Sequence, residues 1–132
     1  MIRLIYTSTS RIQQSDSKQP LIDILNSSIR NNRERDVTGL LMHGNGRFLQ
    51  VLEGTDEQVF KLYVRLLDDP RHSDCRVMLV TQIDKRSFSE WAMAAMNVPD
   101  SAFQKIQDML SQRDTIVEEK LLAVIMKHFM KG

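Results

Sequence analysis

The sequence predicts an α+β protein of the ferredoxin-like kind: a βαββαββ sheet with two helices on one face and C-terminal helices on the other. Three observations carry that prediction. Short apolar runs with period two alternate with stretches of period 3.6, in the order strand, helix, strand, strand, helix, strand, strand. Such a sheet has its helices on one face only, yet the first and third strands are apolar on both. The chain then ends in two amphipathic segments able to cover the second face.

The first strand is IRLIYTS, residues 2–8, with Ile2, Leu4, Tyr6 and Ser8 on one face. A polar loop rich in Ser and Gln follows, and Pro20 suits the first turn of a helix. From there to about Asn32, the residues Leu21, Leu25, Ser28 and Asn32 fall on one helical stripe, with Ile24 and Asn31 beside it. The stripe begins apolar and ends polar. Residues 37–43 and 47–53 form two strands joined by His-Gly-Asn-Gly, whose Gly44, Asn45 and Gly46 offer the positive-φ positions of a tight hairpin.

Thr55-Asp56-Glu57-Gln58 reads as a capping box opening a second helix. It should stop near Asp69, because Pro70 disfavours helical geometry in the residue before it. Its core stripe is Val59, Tyr63, Leu66 and Leu67, with Arg65 and Asp69 at i and i+4 on a neighbouring line. Residues 76–83 make a fourth strand and 90–97 a fifth, with Trp91, Met93 and Ala95 on one side. Asp100 can cap a helix with the stripe Phe103, Ile106, Met109 and Leu110. Thr115 and Glu118 open a last helix to about Met130 that is apolar over more than half its circumference. So wide an arc calls for two partners, the rear of the sheet and a second subunit. The expected organisation is a sheet domain over residues 1–98 and a helical cap over 99–132.

Bulk properties narrow the function. The 132 residues suit one domain, and a net charge of +1 without a basic stripe gives no reason to expect nucleic acid. One cysteine excludes an internal disulfide and a cysteine-rich zinc site. The N-terminus is too short and polar for a secretory signal, and no apolar run reaches the roughly 20 residues that span a bilayer. The expected location is therefore the cytoplasm, away from membranes. His43, His72 and His128 show no metal spacing, and Cys75 reads as a small buried hydrophobe.

The informative residue is Gln50. In GRFLQVLEG, residues 46–54, Phe48, Gln50 and Leu52 share one face and Leu49 and Val51 the other, so the amide is expected to be buried. A buried amide brings two donors and two acceptor lone pairs that need partners. In the predicted fold its face meets Tyr6, Met93, Ser28, Asn31, Asn32, Arg65 and Asp69. That convergence is too polar for a dry core, but it suits a flat heteroaromatic ligand with carbonyls and nitrogens at its edge.

At this point the sequence resembles the BLUF domains, blue-light sensors using FAD, from about residue 2 to residue 97. The likeness rests on LIYTS with Tyr6, NNRERDVTGLL with Asn31 and Asn32, GRFLQVLEG with Gln50, DDPRH with Asp69, Arg71 and His72, and FSEWAM with Trp91 and Met93. It implies FAD between the two helices, Tyr6 as the photoactive tyrosine and Gln50 between it and the flavin edge. It further implies Ile24, Ser28, Asn31, Asn32, Arg65, Asp69, Arg71 and His72 as flavin surround, and Trp91 and Met93 as residues whose positions respond to light. The expected output is a small strain passed along the third and fifth strands to the C-terminal helices. It would be received by a separate downstream protein, with the chain self-associating as a dimer or larger ring and doing no catalysis itself. Two other classes remain open: a flavin-free regulatory interaction module, and an acylphosphatase-type hydrolase. The hydrolase would use an Arg/Asn pair but lacks a glycine-rich phosphate loop after the first strand.

Overall fold

Period-two alternation turns Leu4 and Tyr6 to one face of a strand and Ile5 and Thr7 to the other, and all four are buried. A strand covered on both faces belongs in the middle of a sheet, and there the computed structural model puts it. Residues 1–11, 23, 30, 32–88, 94–97 and 99–110 are described. The strands are β1 (Ile2–Ser10), β2 (Thr38–Gly44), β3 (Arg47–Gly54), β4 (His72–Gln82) and β5 (Ala94–Asn97), in the order β4-β1-β3-β2-β5. All neighbours run antiparallel except β2 and β5, which are parallel with Leu40 opposite Ala94. The predicted fold class holds, and the five strands follow one another along the chain as expected.

The hairpin between β2 and β3 turns on two residues, Asn45 (φ 54°) and Gly46 (φ 66°). Gly44 does not take part in the turn as expected; it is the last residue of β2 and pairs with Arg47. Consecutive positive-φ residues give the turn whose twist matches that of the flanking strands. Gly39 is required for another reason. A Cβ there would lie 1.9 Å from the Val51 carbonyl oxygen, so β2 and β3 meet closely only because this position has no side chain.

The second predicted helix is α1 (Asp56–Leu67), and the Thr55 side chain accepts from the Gln58 backbone N–H at 3.3 Å. Asp56 and Glu57 put negative charge at its positive end. It ends two residues before Asp69, and its buried residues are Val59 and Leu62, with Tyr63 and Leu66 packed beside them. Leu67, expected in the stripe, is 48% exposed, because it lies past the edge of the i, i+3, i+4, i+7 pattern set by the other four. β4 begins at His72 rather than 76. Its polar start stays in the sheet through register irregularities around Thr7–Thr9 and a left-handed Asp74 (φ 54°).

The two faces of the sheet carry separate cores. Leu4, Tyr6, Leu41, Phe48 and Leu52 meet α1 through Val59 and Leu62. Ile5, Leu40, Leu49 and Val51 meet Phe103 and Ile106 of α2 (Asp100–Leu110), both fully buried. Burying each of those two side chains contributes about 1.5–3 kcal/mol, so α2 is held firmly. Asp100, expected as the cap, is the first helical residue; its carboxylate accepts the Asn45 N–H at 2.7 Å and ties α2 to the hairpin. The first of the two predicted C-terminal helices thus packs on the rear face. Apart from Asp23, Arg30 and Asn32, which are helical, the predicted helix over 20–32 lies outside the described residues. So do the last helix over 115–130 and residues 90–93 of the fifth strand. No helix among the described residues is long and apolar enough to cross a membrane.

Candidate functional site

Antiparallel pairing of β1 with β3 sets Tyr6 directly opposite Gln50. Directly opposed residues share a face, so register alone brings phenol and amide together. The Tyr6 hydroxyl donates to Gln50 Oε1, and each residue is only 2% exposed. The Tyr6 ring packs edge-on against Tyr63 of α1, with centroids 5.3 Å apart, and against His72 at 6.1 Å. Burial pushes the Tyr6 phenol well above its usual range, with Cys75, Tyr63 and Asp69 adding to the effect. Tyr6 is therefore a neutral donor whose hydroxyl proton is already directed at the Gln50 amide.

The stretch Asp68–His72 builds the next wall. Pro70 makes the chain leave α1 at Asp68, and a turn brings Arg71 back over Asp69. Arg71 Nε donates to Asp69 Oδ1 at 2.9 Å and its Nη2 to Oδ2 at 2.5 Å, while the Arg71 N–H reaches Oδ1 at 3.0 Å. These hydrogen bonds hold the Asp69 carboxyl below its ordinary range against the opposing effect of burial. The expected i, i+4 partnership of Arg65 with Asp69 is replaced by this local one, because α1 ends at Leu67. His72 is fixed on both sides: Nε2 donates to the Leu66 carbonyl at 2.5 Å, and Nδ1 lies 2.8 Å from Ser8 Oγ. A carbonyl only accepts, so the tautomer with hydrogen on Nε2 is set by the fold.

A cavity opens beside this group, lined by Tyr6, Leu41, Phe48, Gln50, Leu66, Asp69, Arg71 and His72. Its apolar walls and its few convergent polar groups fit a planar ring system, and an isoalloxazine matches that set. Five of the predicted site residues, Tyr6, Gln50, Asp69, Arg71 and His72, are thus brought together. Arg65 is exposed on α1 and Asn32 is buried, and neither lines this cavity. Asn32 remains helical; the left-handed residue that ends its helix is Asp36 (φ 53°), with Val37 N–H donating to the Asn32 carbonyl at 2.9 Å. Ile24, Ser28, Asn31, Trp91 and Met93 lie outside the described residues. Leu41, Leu66 and the Tyr63 ring were not anticipated as site residues, though Leu66 and Tyr63 belonged to the predicted stripe of α1.

Two side observations bear on metal and cysteine chemistry. Among the described residues no group of three or more His, Cys, Asp or Glu could hold a metal ion. Burial, with Asp74 and Asp69, pushes the Cys75 thiol up, which disfavours the thiolate a nucleophile needs.

The Asp69–Arg71 clamp has a pH consequence. A depressed carboxylate contributes stability above its unfolded pKa, about 3.9, and that contribution is lost as pH falls through the lower folded value. Between about pH 5 and pH 2 the wild type should therefore lose thermal stability more steeply than Asp69→Asn. Melting curves across that range check this, and parallel slopes for the two proteins would contradict it.

Comparison with known proteins gives a consistent result. The family model described as sensors of blue light using FAD matches residues 1–94. The photoactivated adenylate cyclase subunit beta of Euglena gracilis is 35% identical over 108 residues, covering 80% of this chain and 13% of that protein. A bacterial light-regulated adenylyl cyclase superposes with a TM-score of 0.70 at 31% identity, covering 90% of this chain and 36% of that one. BlsA in its photo-activated state superposes at 0.77 with 25% identity, covering 92% and 91%. This chain spans only about an eighth of the length of the cyclase subunit that it matches.

Proposed function

The chain belongs to the BLUF family of flavin-based blue-light sensors, and from that premise we propose that it is a photoreceptor switched by the Tyr6–Gln50 pair. The observation that carries this is the hydrogen bond from a buried phenol to a buried amide at the edge of a cavity suited to a flavin. FAD, when bound, supplies absorption of blue light and acceptance of one electron. Tyr6 would supply that electron, and its proton would pass along the existing hydrogen bond to Gln50 Oε1 as Gln50 Nε2 releases one of its own toward the bound ring, so that the amide stays neutral. On return to the ground state Tyr6 would recover its electron and a proton, but the amide need not return to its first arrangement. A primary amide offers an acceptor on one side and a donor on the other, so rotation or tautomerisation exchanges what it presents to the same neighbour. Gln50 is then a two-state element made of one side chain.

Magnitudes set the scale of the output. A neutral hydrogen bond is worth about 0.5–1.5 kcal/mol net, and an unsatisfied buried group costs roughly 1–3. Exchanging two or three such bonds biases an equilibrium by a few kcal/mol, typical of allosteric coupling and too little to unfold the domain. The flavin surround would be completed by Asn31, Asn32, Ser28, Ile24 and Arg65, with Asp69, Arg71 and His72 fixing its polar rim. Trp91 and Met93 would respond on the fifth strand. Residues 1–98 then act as sensor and 99–132 as cap and transmitter to a protein partner in the cytoplasm, with the chain itself oligomeric and non-catalytic. The test is spectroscopic. The purified chain should be yellow, and its absorption edge should move to the red under blue light and return in darkness. A colourless chain that refuses excess FAD would overturn the proposal.

A further inference from the structure

We propose that Glu53 is a positioning residue that couples β3 to the C-terminal helix, a role that rests on the photoreceptor reading above. Glu53 stands three residues beyond Gln50 on the same strand, and it faces the opposite core. It is fully buried although charged. Arg3, its direct cross-strand partner on β1, donates to Glu53 Oε2 from Nε at 2.8 Å and approaches it with Nη2 at 2.8 Å. The remaining capacity of the carboxylate goes to the chain after β4. Oε2 accepts the Ser87 N–H at 3.1 Å, and Oε1 accepts the Phe88 N–H at 2.7 Å.

Those two amides make the arrangement more than an ion pair. They anchor the segment that follows β4 onto the strand carrying the switch. Arg86 fastens the same segment a second time, donating to the Glu53 carbonyl at 3.2 Å and to Thr38 Oγ1 at 3.0 Å. Phe88, positioned by the carboxylate, is 1% exposed and packs in the core shared by Val51, Phe103 and Ile106. A displacement of β3 that begins at Gln50 therefore meets a short rigid relay: strand, carboxylate, Phe88, α2. Charge-assisted bonds are the strongest available for such a link, and a close-packed apolar core transmits small shifts without absorbing them. A buried ion pair alone is weak evidence for stability, since apolar replacements are often as stable. A carboxylate gathering a guanidinium and two successive amides has a geometric task that an apolar residue cannot perform.

The test uses the full chain loaded with FAD and measures deuterium exchange in darkness and under blue light. In the wild type, illumination should change exchange in residues 86–88 and 100–110. In Glu53→Gln, which puts an NH2 donor among donors, flavin binding and the spectral red shift should persist while that light-minus-dark difference falls about fivefold or more. Glu53→Asp keeps the charge for Arg3 but withdraws it from the two amides, so it should uncouple in the same way and guards against poor folding of the first variant. A purely architectural role would instead raise exchange equally in light and dark. That result, or a wild-type-sized difference in either variant, would overturn the proposal. An unchanged wild-type spectrum under illumination would remove the photoreceptor reading itself, and this inference with it.

Discussion

Tyr6→Phe should remain folded and yellow, yet show no light-induced red shift. The phenyl ring keeps the volume of the tyrosine and its edge-on contact with Tyr63, so the wall of the cavity survives. What disappears is the single hydrogen that Tyr6 donates to Gln50 Oε1. Losing one hydrogen bond in a buried site costs about 1–3 kcal/mol, a tolerable loss for a domain of this size. The photochemistry has no such margin, because phenylalanine can supply neither the electron nor the proton. A wild-type red shift in this variant would show that Tyr6 is not the donor.

Gln50→Leu should lose the red shift as completely. Leucine packs against Leu41 and Leu52 but cannot present a donor and an acceptor in turn. Here the orphaned group is the Tyr6 hydroxyl, buried to the same degree as the amide. Each single variant removes one half of the pair and takes a hydrogen bond from the other half, whereas the double variant Tyr6→Phe/Gln50→Leu removes both halves together. The double variant should therefore be destabilised by less than the sum of the singles, with a coupling of roughly 0.5–3 kcal/mol. Denaturant melts of the four proteins check this directly. Additive losses would mean that the two side chains do not share a hydrogen bond in solution.

Much of this was legible in the sequence because it depended on periodicity. Alternation identified β1 and β3 and put Tyr6 and Gln50 on the faces they occupy. The capping box at Thr55 and Pro70 bounded α1 to within two residues. What failed was local geometry that periodicity does not encode. The end of α1 transferred Asp69 from Arg65 to Arg71, because one residue outside the helix is enough to break an i, i+4 relation. β4 extends back to His72 through residues whose polarity hides an exposed edge strand. Leu67 was assigned to the core since it is large and near the stripe, but helical angle decides burial more than size does. Glu53 had a signal that went unused: an acid on the apolar face of β3 with an arginine in the matching position of β1.

Infrared difference spectroscopy, light minus dark, on protein carrying isotope-labelled glutamine side-chain amides is the most direct measurement of the switch. The account predicts a label-sensitive amide band that shifts on illumination, recovers in darkness and vanishes in both Gln50→Leu and Tyr6→Phe. A full red shift of the flavin spectrum accompanied by no change in any glutamine amide band would contradict it.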